Sequence, residues 1–177
     1  MWIFVDKYGI KWINMVKNSY KTITDISTNF LLGNYEVKLS KGFRLTLPSP
    51  YRDILGNKII LTKGIENNLY IFDIARWEKL LKPVTNRSFL NANVRKFLRY
   101  LMSQAFVVNV DKLGRFVVPP ALRDVEGIDL GQDTTLILAG LYNWVELWSK
   151  DAWNKSLKQA SKQVGNLADL LDKLEWP

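Results

Sequence analysis

The 177-residue chain contains no cysteine and no histidine. Without cysteine it has no disulfide and no thiolate nucleophile. Without histidine it lacks the commonest general base, the commonest zinc ligand and every Ser-His or Cys-His arrangement. Catalysis would rest on carboxylates, lysine, serine or tyrosine alone. Glu66, Asp73 and Tyr142 are the acid–base candidates, but no nucleophile–base pair supports them. No phosphate-binding loop, dinucleotide fingerprint or metal cluster is present either, so the sequence implies no enzyme, no metal and no cofactor. Long apolar runs are missing too: nothing approaches a membrane span of roughly 20 residues. The N-terminal stretch "MWIFVDKYGIKWINMVKNSYKTITDISTNF" is interrupted by Asp6, Lys7, Lys11 and Lys17, unlike a signal peptide. A cytosolic protein is expected.

Apolar residues make up 47% and charged residues 24%, enough to build an ordinary core without staples. Lysine and arginine number 25 against 17 acidic residues, a formal charge of +8 and a pI near 9.6. That balance favours a polyanionic partner, nucleic acid above all.

The chain repeats itself. Lys41, Arg44, Pro48 and Arg52 find Lys112, Arg115, Pro119 and Arg123, each 71 positions later. Gly64, Phe72 and Trp77 align with Gly140, Trp148 and Trp153, 76 positions later. Each copy reads as a strand (35–39; 106–110), a glycine-bearing turn and a second strand (44–47; 115–118). Proline then starts a short helix (50–55; 120–125). Two further strands follow (58–62 and 69–72; 135–139 and 144–148), and a helix opens at Asp73 or Ser149. Tyr70, Phe72, Trp77, Trp144, Trp148 and Trp153 read as core aromatics.

Between the copies, Leu90, Val94, Phe97, Leu98, Leu101 and Met102 recur at helical spacing, with Arg95, Lys96 and Arg99 on the solvated side. Near the C-terminus, Trp153, Leu157, Ala160, Val164, Leu167, Leu171 and Leu174 follow a heptad spacing. Its first turns are expected to dock on the chain's own domain. The organisation expected is residues 1–30 as an extension, 31–81 as the first repeat, 82–104 as a linking helix, 105–157 as the second repeat, and 158–177 as a helical tail. The extension reads either as a basic arm or as the product of an upstream start, with Met15 as the alternative start.

In the second copy, Asp111 enters the turn where its carboxylate can accept backbone N–H groups. Gly114 supplies a positive φ, and Arg115 restarts the strand within reach of Asp111. An arbitrary Asp-x-x-x-Arg is only a turn clamp. Two such loops in a basic chain suggest two contacts to a duplex, since arginine's fork suits phosphates and guanine edges.

The order of strand, Asp-x-x-Gly-Arg, strand, proline and arginine-bearing short helix resembles the AbrB-like swapped-hairpin barrel proteins. The joined segments "GNYEVKL", "LTKGIENNLYIF", "WEKLL", "LGRFVVPPALRD", "AGLYNWVELW" and "KDAW" resemble the MraZ family over residues 31 to about 160. The resemblance implies a mainly β fold with helices (α+β). Two tandem swapped-hairpin β-barrel units would be related by a pseudo-twofold, with a linking and a C-terminal helix. It also implies a bacterial, nucleoid-associated transcriptional regulator, a repressor. This would bind double-stranded DNA at promoter direct repeats upstream of the division and cell-wall genes, as a ring-shaped homo-oligomer with no membrane and no small-molecule substrate. The alternative is a protein-interaction or antitoxin-like module on the same fold. Arg44, Arg115, Lys41 and Lys112 would meet DNA, while Ser40, Gly42, Asp111 and Gly114 would shape the loops. The first loop departs from the family pattern: Ser40 stands where the family has aspartate, and Gly42 precedes Phe43. Serine can cap the turn but brings no charge to meet Arg44.

Overall fold

The computed structural model describes residues 29–88, 90–124, 130 and 134–172, with side chains to residue 165. The chain divides between Phe30 and Leu31, and the unit that begins at Leu31 carries everything below. The arm or start at residues 1–28 lies outside the described residues.

The first copy contains β1 (Asn34–Lys38), β2 (Arg44–Thr46), α1 (Ser49–Leu55), β3 (Lys58–Lys63), β4 (Leu69–Asp73) and α2 (Ile74–Thr85). After α3 (Ala92–Met102) the second copy repeats the pattern: β5 (Phe106–Asn109), β6 (Arg115–Val117), a 3-10 turn (Pro120–Leu122), β7 (Thr135–Leu141), β8 (Trp144–Ser149) and α4 (Lys150–Asp172).

The strands form one antiparallel sheet in the order β1-β7-β8-β4-β3-β5 and a separate ribbon of β2 with β6. Each copy's first strand is exchanged: β1 pairs with β7 and β5 with β3. Two places lie on a pseudo-twofold axis. Leu45 faces Phe116, and the two are 71 apart. Tyr70 faces Glu146, and they are 76 apart. The expected swapped, pseudo-twofold α+β architecture is therefore the one observed.

The register revises one pairing of the repeats. Tyr35 lies opposite Leu138 and Phe106 opposite Leu61, so Leu61 corresponds to Leu138, 77 positions on, while Leu69 corresponds to Val145, 76 positions on. The first hairpin turn is one residue longer, and Gly140 corresponds to Lys63 rather than Gly64. Each glycine has its own reason to be small. A Cβ at Gly140 would lie 2.6 Å from the Leu31 carbonyl carbon, and one at Gly64 would lie 1.9 Å from Asn68 Oδ1.

Side-chain alternation builds the barrel interior. Leu39, Leu45, Ile59, Leu61, Ile71, Phe116, Val118, Leu136, Leu138 and Leu147 point inward, with Tyr51 and Leu122 plugging the ends of the two short segments after the ribbon. The Tyr51 hydroxyl donates to the Gly33 carbonyl at 2.6 Å, and burial pushes its pKa up to about 12. A second cluster lies on the sheet's outer face: Ile60 and Phe72 meet Trp77 and Leu81 of α2 and Leu101 of α3. Phe72 contacts Trp77 with ring centroids 5.4 Å apart, and Trp148 contacts Trp153 at 6.1 Å, the same pair in each copy.

Two helical segments differ from expectation, while α4 docks by its first turns as expected. The short helix expected over 120–125, of which residue 125 lies outside the described residues, is a 3-10 turn at Pro120–Leu122, closed by the Leu122 and Arg123 amides donating to the Pro119 and Pro120 carbonyls. In the first copy, buried Leu55 anchors the last turn of α1; 71 positions later the sequence has the charged Glu126 in place of that leucine. The linking segment is divided. α2 runs through Pro83 to Thr85, and α3 starts at Ala92, capped by the Asn91 side chain accepting from the Asn93 and Val94 amides. Only part of its apolar stripe is covered: Val94 and Leu101 are buried, whereas Leu90, Phe97 and Met102 are exposed. Thr62 and Tyr100 tie the helix to the sheet, donating to the carbonyls of Leu101 (2.9 Å) and Gly64 (2.7 Å). α4 docks through Trp153, but Leu157 is 49% and Val164 63% exposed, so the later turns leave the body of the fold.

Candidate nucleic-acid interface

The ribbon of β2 and β6 places the two loops at its opposite ends. Leu45 and Phe116 face inward and are 0% and 2% exposed. Arg44 is paired with Val117 and Thr46 with Arg115, and all four point outward. Arg44 and Arg115 are thus diagonal neighbours on one solvent face, with Cβ atoms about 7 Å apart for such a pair. Lys41 and Lys112 sit exposed at the two turns. A groove of about 600 Å³ opens beside the ribbon, lined by Arg44, Asp111, Arg115, Val107, Val117 and Pro119.

The second loop is closed by its own aspartate. Asp111 Oδ1 accepts from the Leu113 amide (2.8 Å) and the Arg115 amide (2.9 Å), and Oδ2 accepts from Arg115 Nε (2.7 Å). Gly114 has φ 80, and its amide donates to the Asp111 carbonyl. The Arg115 amide first, then its guanidinium, hold the Asp111 carboxyl below the usual aspartate range. The pair is half-exposed, so its value to overall stability is small. Its effect is geometric. Nε is occupied, and the two terminal nitrogens of Arg115 are left as a pre-aimed fork.

The first loop is built differently. Ser40 and Arg44 exchange backbone bonds of 2.9 and 3.3 Å, but among the described residues neither side chain has a hydrogen-bond or ion-pair partner. Both Gly42 (φ 77) and Phe43 (φ 58) take the left-handed conformation. Phe43 stands where the second loop has Gly114, at a conformational cost of about 1–2 kcal/mol for a residue with a side chain. The Phe43 carbonyl accepts from the Val118 amide at 2.9 Å, as the Gly114 carbonyl does from Leu47 at 2.8 Å.

Each loop is crossed by an arginine from the other copy. The Arg123 guanidinium lies over the Phe43 ring, 4.0 Å from its centroid, and its Nε donates to the Val118 carbonyl at 3.0 Å. Arg52 passes over Gly114, with Cδ 3.2 Å from where a Cβ would be, and its Nε lies 3.7 Å from Asp53. Phe43, Arg52 and Arg123 are absent from the site expected from sequence. The repeat aligns the two arginines, but their reach into the opposite loop follows only from the exchange of strands.

The acid–base candidates are not assembled. Asp73 caps α2 by accepting from the Arg76 amide and side chain, while Glu66 and Tyr142 stand on different hairpin turns. Among the described residues no cluster of three or more acidic side chains could hold a metal, and no helix is long and apolar enough to cross a membrane.

A family model described as "MraZ protein, putative antitoxin-like" matches twice, at residues 30–100 and 101–170. The transcriptional regulator MraZ of Thermus thermophilus is 32% identical over 127 residues, covering 72% of this chain and 87% of that protein. The Syntrophomonas wolfei protein of the same name is 32% identical over 143 residues, covering 78% and 97%. The Halothermothrix orenii protein is 31% identical over 143 residues, covering 81% and 97%. The two tandem matches fall on the two copies that exchange strands around the arginine ribbon: this chain belongs to the MraZ family.

Proposed function

We propose that the protein is a sequence-specific DNA-binding transcriptional regulator, a repressor acting from the nucleoid in the cytoplasm. The observation that carries this is the ribbon. Two arginines stand side by side on one outward face of a chain of net charge +8, and its relatives are named transcriptional regulators. A two-stranded ribbon fits the major groove of B-DNA.

The two arginines divide the work. Arg115, clamped at Nε, presents its fork to a base edge, guanine being the best match. Arg44, with no such clamp, meets the phosphate backbone together with Lys41 and Lys112. Direct repeats upstream of the division and cell-wall genes are the target, read by successive subunits of a ring-shaped homo-oligomer. The antitoxin-like wording of the family description supports a second reading, a protein-interaction module, with the exposed stripe of α4 as its surface.

The test is a titration of the full chain against its own upstream DNA at several salt concentrations, with native mass measured in parallel. Specific binding should fall with salt at a log–log slope of about −0.9 per phosphate neutralised. Equal affinity for scrambled DNA of the same length would sink the first reading.

A further inference from the structure

Position 40 lacks the carboxylate that closes the second loop, yet the first loop is closed. Beyond the Ser40–Arg44 backbone pair, what holds it comes from the opposite copy. The Val118 amide bonds to the Phe43 carbonyl, the Arg123 Nε bonds to the Val118 carbonyl, and the Arg123 guanidinium returns to cover the Phe43 ring. Phe43 is thereby held through its backbone and its ring face, and its ring also packs against the barrel core. Phe43 immediately precedes Arg44. A residue whose backbone is fixed in the left-handed conformation sets the direction in which the chain re-enters β2, and so the origin of the Arg44 side chain.

The equivalent place shows what the second loop does without. Gly114 has no ring, and Arg52 passes over it with nothing to stack on. There the aspartate holds the loop from within. The two devices occur in complementary places: a carboxylate with a glycine in one loop, a serine with an aromatic ring under an arginine in the other.

We propose that Arg123 is a positioning residue for the first DNA-contacting loop: stacked on Phe43, it replaces the missing aspartate and fixes the placement of Arg44. This rests on the ribbon being the DNA-binding face. It means that the second copy governs the aim of the first copy's arginine, so the first loop is not organised by its own copy alone.

The competing role for Arg123 is a direct phosphate contact, and four variants separate the two. Binding of the full-length protein to its upstream duplex is measured by anisotropy for Phe43→Leu, Arg123→Ala, Arg123→Lys and Arg44→Ala. The double variants with Arg44→Ala are included, and thermal melts and native mass show that each variant folds and assembles. A half-exposed cation–ring contact predicts a loss of roughly five-fold for Phe43→Leu and for Arg123→Ala. Arg123→Lys, which keeps the charge but loses the planar stack and the Nε bond, should lose as much as Arg123→Ala. None of the three should weaken binding further once Arg44 is alanine. The proposal is overturned if Phe43→Leu binds like the unaltered protein, if Arg123→Lys retains affinity, or if the losses multiply with that of Arg44→Ala. The reading beneath it fails separately, if the unaltered protein does not distinguish its upstream duplex or if Arg115→Ala binds unchanged.

Discussion

The loops Ser40–Arg44 and Asp111–Arg115 occupy equivalent places at the two ends of one ribbon, and they are held by different chemistry. The second is organised by its own Asp111, whose carboxylate makes bonds that span at most four residues. The first depends on a ring from its own copy and a guanidinium whose Cα lies 80 positions away in sequence. A barrel built by strand exchange makes the second solution available, because it delivers each copy's post-ribbon segment to the other copy's loop. Loss of the loop aspartate is tolerable in such a fold, since a neighbour in space can take over its task.

The largest effects should come from breaking what the loops share. Phe116→Ala removes a ring from the axis of the ribbon and should cost about 3–5 kcal/mol of stability. Leu45→Ala, opposite it, should cost about 2–5 kcal/mol. Denaturant unfolding measures both, and both loops should lose DNA binding together.

A smaller effect should distinguish the arginines. Arg115→Ala should weaken binding to the specific duplex by about 1–3 kcal/mol per site and relax the preference at one base position. Arg44→Ala should weaken all duplexes alike and reduce the salt slope by about 1. Identical behaviour of the two variants across a panel of single-base operator changes would erase the distinction.

The carboxylate clamp carries a pH signature. Its folded-state pKa is depressed relative to the unfolded chain, so its contribution is present above the ordinary aspartate value and is lost as pH falls through the folded value. An NMR titration of the Asp111 carboxyl should have its midpoint below 3.8, the ordinary value, and Arg115→Ala should move it upward. No matching transition should occur in the Ser40 loop.

The smallest change is Ser40→Asp, which offers Arg44 the partner it lacks. An exposed pair of this kind adds less than about 1 kcal/mol, so thermal stability should hardly move. The readout is the Arg44 Nε–H resonance, which should shift and slow its exchange with water. An unaltered resonance would show that the Phe43 backbone forbids the clamp.

Much of the site is legible residue by residue, because its bonds are local. Asp111, Gly114 and Arg115 fall within five positions, and the Asx-type turn follows from their chemistry alone. Alternation marks Leu45 and Phe116 as inward and the arginines as outward. The Gly64–Gly140 pairing is misleading because an insertion in one hairpin shifts the register by a single residue, and that shift shows only where strands pair. The linking helix is half legible. Its stripe is visible in sequence, but the sheet has room for Val94 and Leu101 and leaves Phe97 and Met102 exposed.

The sequence by itself determined the doubling of the chain, the absence of histidine and cysteine chemistry, the positive charge, and the turn that closes on Asp111. These depend on composition and on neighbours within a few residues. The exchange of β1 and β5, the diagonal placement of Arg44 and Arg115, and the seat of Arg123 on Phe43 were decided only by the tertiary structure. They join residues some 45 to 105 positions apart. Such contacts form only because the inward faces of both copies must be buried together, and no segment alone holds enough apolar surface to choose its partner.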